Sequence, residues 1–145
     1  MPAEIVVDSS VVAALVTPEQ YSDWASKRLL EYDDFHVLDL NYYEVANALK
    51  YKESVRFDAK DALEAFTQAA EMMDLYAVHN FSEVINDAIV LAIELNITVY
   101  DAAFLSLAQK IGAQLLTLDQ KLVKKLEGTK YYSFMEYPNK KTFQI

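Results

Sequence analysis

The sequence predicts an α/β fold of three layers, with helices on both faces of a central parallel sheet. Segments with strand character alternate with segments of helical periodicity along the whole chain. The strand segments are continuously apolar rather than alternating, which is the pattern of strands covered on both faces. No internal repeat, low-complexity segment or linker divides the 145 residues, so residues 1–145 read as one domain of ordinary size.

The elements follow in order. Glu4 to Val7 is a short β-branched run that ends at Asp8, and Ser9, Ser10 and VVAALV continue as a helix with no glycine or proline to stop it. Thr17-Pro18-Glu19-Gln20 has the signature of a helix start, running to about Tyr32, with Thr as N-cap and Pro at the first helical position. Phe35 to Leu40 is a second strand, and Asn41 to Glu44 has capping-box spacing before VANALKYK. Asp58 opens a helix whose apolar residues Ala62, Leu63, Phe66, Ala69, Ala70 and Met73 repeat at helical spacing. Leu75 to Val78 is a strand, and Ser82 caps the helix EVINDAIVLAIEL. Ile97 to Tyr100 reads as another strand, after which Asp101 opens AAFLSLAQKI and Gly112 ends it. Gln114 to Leu118 is again a strand, Asp119 opens QKLVKKLE, Gly128 ends that helix, and YYSF makes a last short strand. The tail EYPNKKTFQI has no clear periodicity and reads as a docking tail or as disordered.

Composition narrows the chemistry. The chain is 53% hydrophobic and 24% charged, ordinary for a folded protein. It has no cysteine, which excludes disulfides and thiolate metal sites, and its two histidines, His36 and His79, cannot make a His-rich zinc centre. Both lie within or beside strands and read as packed residues. A metal here must be held by oxygen. The net charge of −9, from 22 acidic and 13 basic residues, argues against a broad electropositive surface for nucleic acid. A carboxylate cluster loaded with divalent cations would still present positive charge locally. The N-terminus lacks signal-peptide character and no apolar run approaches the roughly 20 residues that span a bilayer, so a cytoplasmic location is the default expectation.

Asp8, Glu44, Asp101 and Asp119 each fall at or just after a strand and at a helix start, and parallel strands would bring all four to one end of the sheet. Carboxylates a few ångströms apart repel unless a hard cation neutralises them. Mg²⁺ and Mn²⁺ prefer such ligands, and two such ions about 4 Å apart suit phosphodiester hydrolysis. Each residue taken singly also reads as a helix cap, Glu44 as the partner of Asn41 in a capping box.

The segments IVVDSSVVAALV (Ile5 to Val16), YYEVANALKY (Tyr42 to Tyr51), ITVYDAAFLSLAQKIGAQLLTLD (Ile97 to Asp119) and the following QKLVKK span nearly the whole chain. In that order they resemble the PIN-domain family, more narrowly the VapC-type toxins of prokaryotic toxin–antitoxin pairs. The resemblance implies a parallel sheet of about five strands, with Asp8, Glu44, Asp101 and Asp119 as catalytic residues coordinating Mg²⁺ or Mn²⁺ for endoribonuclease cleavage of RNA. It also implies a small antitoxin that covers the cleft, and a homodimer.

Similar proteins carry small hydroxyl residues near the first and last acids. Ser9 or Ser10, and Thr117, match those places and would act as outer partners of the metal ligands or as plain strand-end residues. Asn47, one turn after Glu44, is a further auxiliary candidate. Lys121, Lys124 and Lys125, and Lys50, Lys52 and Arg56, are candidates for a basic rim or for ordinary solvated helix faces. Tyr42 and Tyr100 are the tyrosines placed to stack bases beside a carboxylate. The apolar side chains Val11, Val12, Leu15, Tyr21, Trp24, Leu29 and Leu30 describe a partner groove or a core-facing surface equally well.

Two rival functions remain from sequence. A catalytically silent PIN-like module would bind RNA or protein without turnover, although the full acidic set argues against it. A receiver-like or phosphatase-like Mg²⁺ domain would want paired acids after the first strand, where DSS supplies one.

Overall fold

The computed structural model describes residues 3–52 and 58–138. Five parallel strands form one sheet: β1 (Glu4–Val7), β2 (Asp34–Leu38), β3 (Ala77–His79), β4 (Gln114–Leu116) and β5 (Met135–Glu136). Their order is β3-β2-β1-β4-β5. Seven helices accompany them: α1 (Ser9–Val16), α2 (Ser22–Leu29), α3 (Leu40–Lys50), α4 (Ala59–Asp74), α5 (Ile85–Leu95), α6 (Val99–Ile111) and α7 (Gln120–Leu126). This is the expected three-layer α/β/α arrangement.

Alternation along the buried strands divides the core in two. Ile5, Val7, Val37 and Leu116 face one way and pack with Val11, Val12, Val45, Leu49, Ala69 and Met73 of α1, α3 and α4. Val6, Leu38 and Leu115 face the other way, against Ala88, Leu91, Phe104, Leu107 and Leu122 of α5, α6 and α7. Ile5, Val6 and Val7 are all fully buried, which is why β1 carries no polar residue between the exposed Glu4 and Asp8. Full burial of such side chains contributes roughly 1.5–3 kcal/mol each.

Chain order gives the sheet its functional end. The chain builds outward from β1 to β2 and β3, then returns to place β4 on the other side of β1. The strand order therefore reverses between β1 and β4, and the crevice beyond their carboxyl ends is where open α/β sheets bind ligands. Asp8 follows β1 and Asp119 lies three residues after β4.

Several local expectations are corrected. Ile97 to Tyr100 is not a strand: Asn96, at φ 53°, ends α5 in the left-handed region, and Val99 is already the first residue of α6. Thr98 is the N-cap, its hydroxyl accepting from the Asp101 amide, so the β-branched run ITV is a helix–helix corner. Thr17 ends α1 instead of starting a helix. Its hydroxyl donates to the Ala13 carbonyl, and α2 begins only at Ser22.

Asn80, not Ser82, is the cap after β3, in a reciprocal capping box with Glu83. YYSF lies within a 3₁₀ helix (Lys130–Phe134), and the last strand follows it. Asp58, Asp119 and Gly112, the last at φ 79°, cap helices as expected. Most of the tail, residues 139–145, and Arg56 lie outside the described residues. Among the described residues no single helix is long and apolar enough to cross a membrane.

Candidate active site

Asp8 is the residue at which β1 turns into α1. It occupies the N-cap position, yet its side chain makes no capping bond to the helix. Instead Ser10 Oγ and Thr117 Oγ1 both donate to Asp8 Oδ2, each at 2.7 Å. These hydroxyls are themselves fixed, since Ser10 Oγ accepts from the Leu118 amide and Thr117 Oγ1 from the Asp119 amide, each at 3.0 Å. The ends of β1 and β4 are thus laced together with Asp8 at the knot. Only one of its oxygens takes part.

Glu44 comes from the second turn of α3, and the capping-box expectation fails for it. Asn41 is fully buried and is not a cap: its Oδ1 accepts from the Leu38 amide (2.7 Å) and its Nδ2 donates to the Val7 carbonyl (3.0 Å). The N-cap is Asp39. Glu44 is therefore released from the backbone, and its Oε1 accepts from Ser9 Oγ at 3.0 Å.

Asp101 stands in the first turn of α6, with Thr98 taking the cap. Of the four acids only Asp119 caps a helix, its Oδ1 accepting from the Leu122 amide at 3.1 Å. Capping explains one residue and leaves three.

The four carboxylates feel one another. Burial pushes Glu44 up to about 7, with the charges of Asp8, Asp101 and Asp119 adding to it and the Ser9 hydroxyl opposing. Burial likewise pushes Asp101 up to about 6, helped by Asp119 and Asp8 and opposed by Thr98 and Lys125. Asp8 is raised as well, by burial first and by Asp119, against the hydrogen bonds from Ser10 and Thr117. Gathered acids that resist losing their protons are what a cation site looks like without its charge. Among the described residues no three acidic or imidazole side chains stand close enough together to hold one metal ion.

Of the outer candidates, Ser9 holds Glu44, and Ser10 and Thr117 hold Asp8. Sequence left Ser9 and Ser10 as alternatives; the structure gives each its own carboxylate. Asn47 is exposed and makes no hydrogen bond among the described residues. Of the basic residues, Lys125 is close enough to act on Asp101, Lys52 pairs with Glu19, and Lys50 lies over the Tyr51 ring. Tyr42 is turned away from the cleft, its hydroxyl bonded to Asp74. Val11 and Val12 are core, and so is Ala25 of α2, whereas Leu30 is exposed. His36 in the middle of β2 and His79 at the end of β3 hydrogen-bond each other, flanked by Glu4 and Glu83.

The sequence profile of the PIN domain matches residues 5–127, which contain all four acids. The chain belongs to the PIN-domain family. Among curated members of the family it is 41% identical over 123 residues to a protein named Ribonuclease VapC3 from Pyrobaculum aerophilum, covering 84% of this chain and 94% of that one. It is 30% identical over 128 residues to Exonuclease VapC9 of the same organism, covering 88% and 90%. A chain of a solved toxin–antitoxin complex from Klebsiella pneumoniae superposes with a TM-score of 0.68 over 93% of this chain and 98% of that one. At 16% identity that likeness speaks for the fold alone.

Proposed function

We propose that the protein is a divalent-metal-dependent endoribonuclease and the toxin of a toxin–antitoxin pair, with Asp8, Glu44, Asp101 and Asp119 as its metal-binding catalytic residues. The observation that supports it most is the gathering of Asp8, Glu44, Asp101 and Asp119 at the carboxyl end of the sheet, where burial first and neighbouring acids second raise Asp8, Glu44 and Asp101, and capping accounts for Asp119 alone. Family membership and the ribonuclease relative support the reaction class. The intact acidic set disfavours a silent binding module.

The donor set fits Mg²⁺ or Mn²⁺, being four carboxylates with no sulfur or imidazole among them. When bound, the cation would activate a water toward a phosphodiester and stabilise charge on the leaving oxygen. The chain's own part is positioning. Ser10 and Thr117 pin Oδ2 of Asp8, Ser9 steadies Glu44, and Lys125 lies near enough to Asp101 to act on its charge. The partners we assign are an RNA substrate, a small antitoxin protein and a second copy of the chain. VapC-type relatives and the toxin–antitoxin neighbour support the antitoxin.

The test is cleavage of a circular single-stranded RNA, which has no ends for an exonuclease. Linear product with Mg²⁺ or Mn²⁺, none with EDTA and none from Asp101→Asn of unchanged fold is the expected result. Equal cleavage by wild type and Asp101→Asn would sink the proposal.

A further inference from the structure

A second feature borders the carboxylate cleft. Tyr43 precedes Glu44 on α3 and Tyr100 precedes Asp101 on α6, and both rings stand in solvent at 81% and 60% exposure. Together with Phe81, 58% exposed, they rim an apolar cavity of about 290 Å³ floored by Val84, Val99 and Ala103. Asp39 fixes the third ring in place: its Oδ2 accepts from the Phe81 amide while Oδ1 accepts from Leu40. The side chains of Tyr43 and Tyr100 make no hydrogen bond or ring contact among the described residues. Leaving three large aromatics exposed around one cavity is costly in water and has no packing rationale.

From this arrangement we infer that the cavity is a nucleobase pocket, in which an unpaired base of a single-stranded RNA stacks on Tyr43, Phe81 and Tyr100 while the adjoining phosphate lies at the carboxylates. This rests on the ribonuclease reading of the same cleft.

Three observations select this occupant. Tyr43 and Tyr100 of the pocket immediately precede Glu44 on α3 and Asp101 on α6, so the pocket adjoins the acidic cleft along both helices. The chain has few cations with which to hold phosphates, at 13 basic against 22 acidic residues, so affinity for RNA has to come from another source. Stacking on aromatic faces is that source and is indifferent to backbone charge. Bases in an A-form duplex are already stacked and paired and cannot enter, so the pocket selects unpaired RNA.

The experiment uses the whole chain in EDTA and a short single-stranded RNA carrying one 2-aminopurine. Binding is followed by anisotropy and by quenching of the fluorescent base. Tyr43→Ala and Tyr100→Ala should each weaken binding roughly fivefold to a hundredfold and abolish the quenching, the range expected from loss of one base–aromatic stack. Tyr43→Phe and Tyr100→Phe should stay within about twofold, because the stacking face survives. The same sequence as a duplex should not compete, and the salt dependence should be shallow.

If the alanine variants bind like wild type while Mg²⁺-dependent cleavage is intact, the pocket assignment falls and the nuclease reading stands. If they lose binding in a chain that never cuts RNA, the pocket stands and the nuclease reading falls. Dissociation of a wild-type dimer by Tyr43→Ala with RNA affinity unchanged would assign the face to a second copy and overturn the proposal. So would displacement of a bound peptide partner with no change for RNA.

Discussion

The two halves of the acidic cleft are built differently. At the strand ends Asp8 sits in a lattice of two hydroxyls and two backbone amides that joins β1 to β4, and Asp119 is fastened by its own helix cap. On the helix side Glu44 has a single hydroxyl partner, Ser9, and Asp101 has one, Thr98. The helix half carries the two acids raised to about 7 and about 6. One half is a fixed anchor and the other an arm held by fewer bonds. A cation that must be gripped and still exchange waters during turnover is served by such a division.

Substitutions on either half break the comparison in its strongest form. Asp8→Asn and Asp101→Asn should each lower metal-dependent RNA cleavage by more than about a hundredfold, since even outer partners of metal ligands cost roughly 10- to 100-fold. Melting curves would show both variants folded. A loss confined to Asp8→Asn would mean that the helix half takes no part.

The anchor is also a folding element. Asn41 ties the Leu38 amide and the Val7 carbonyl together beneath it, so Asn41→Ala leaves two buried backbone groups without partners. It should cost about 2–4 kcal/mol in urea unfolding. Exposed Asn47→Ala should stay within about 0.5 kcal/mol.

Thr117→Val keeps the shape and removes one hydroxyl from Asp8, and it should reduce activity roughly 10- to 100-fold. Ser9→Ala, acting on the looser Glu44, should fall at the low end of that range. If the two effects are reversed, the anchor and arm have been assigned the wrong way round.

The smallest effect separates the halves by pH. Glu44 and Asp101 hold protons in the folded chain where the unfolded chain has lost them. Their contribution to stability is therefore full below the ordinary carboxylate range and disappears as pH rises through about 6 and about 7. The metal-free protein should gain about 1–2 kcal/mol between pH 8 and pH 5 after allowance for solvent screening. Mn²⁺ should restore stability at pH 8 and do little at pH 5, where protons occupy its ligands. Glu44→Gln should flatten the profile above pH 6.

How much of this could be read in the sequence differs between the halves for a physical reason. Asp8 and Asp119 were legible because each directly follows a short apolar run, and the end of a buried strand is a local pattern. The sheet class was legible from the same runs. On the helix half Glu44 and Asp101 were legible as candidates but their local settings were not, because tertiary contacts override local signals there. Thr98 takes the cap that Asp101 was expected to provide, and the β-branched ITV run becomes a corner because α5 already ends at Asn96. Asn41 has perfect capping-box spacing but is drawn inward to satisfy Val7 and Leu38, which frees Glu44 for the cleft. Tyr42, one of the two tyrosines expected to stack bases, has its hydroxyl bonded to Asp74 instead.

The central claim is that anchor and arm form one cation site. Mn²⁺ binding to the metal-free chain at pH 8, followed by the loss of the free-ion electron paramagnetic resonance signal, tests it most directly. The account predicts that Asp8→Asn, Glu44→Gln and Asp101→Asn each weaken Mn²⁺ binding about tenfold or more. Unchanged Mn²⁺ affinity in Glu44→Gln and Asp101→Asn would contradict it and leave the acids of α3 and α6 outside the site.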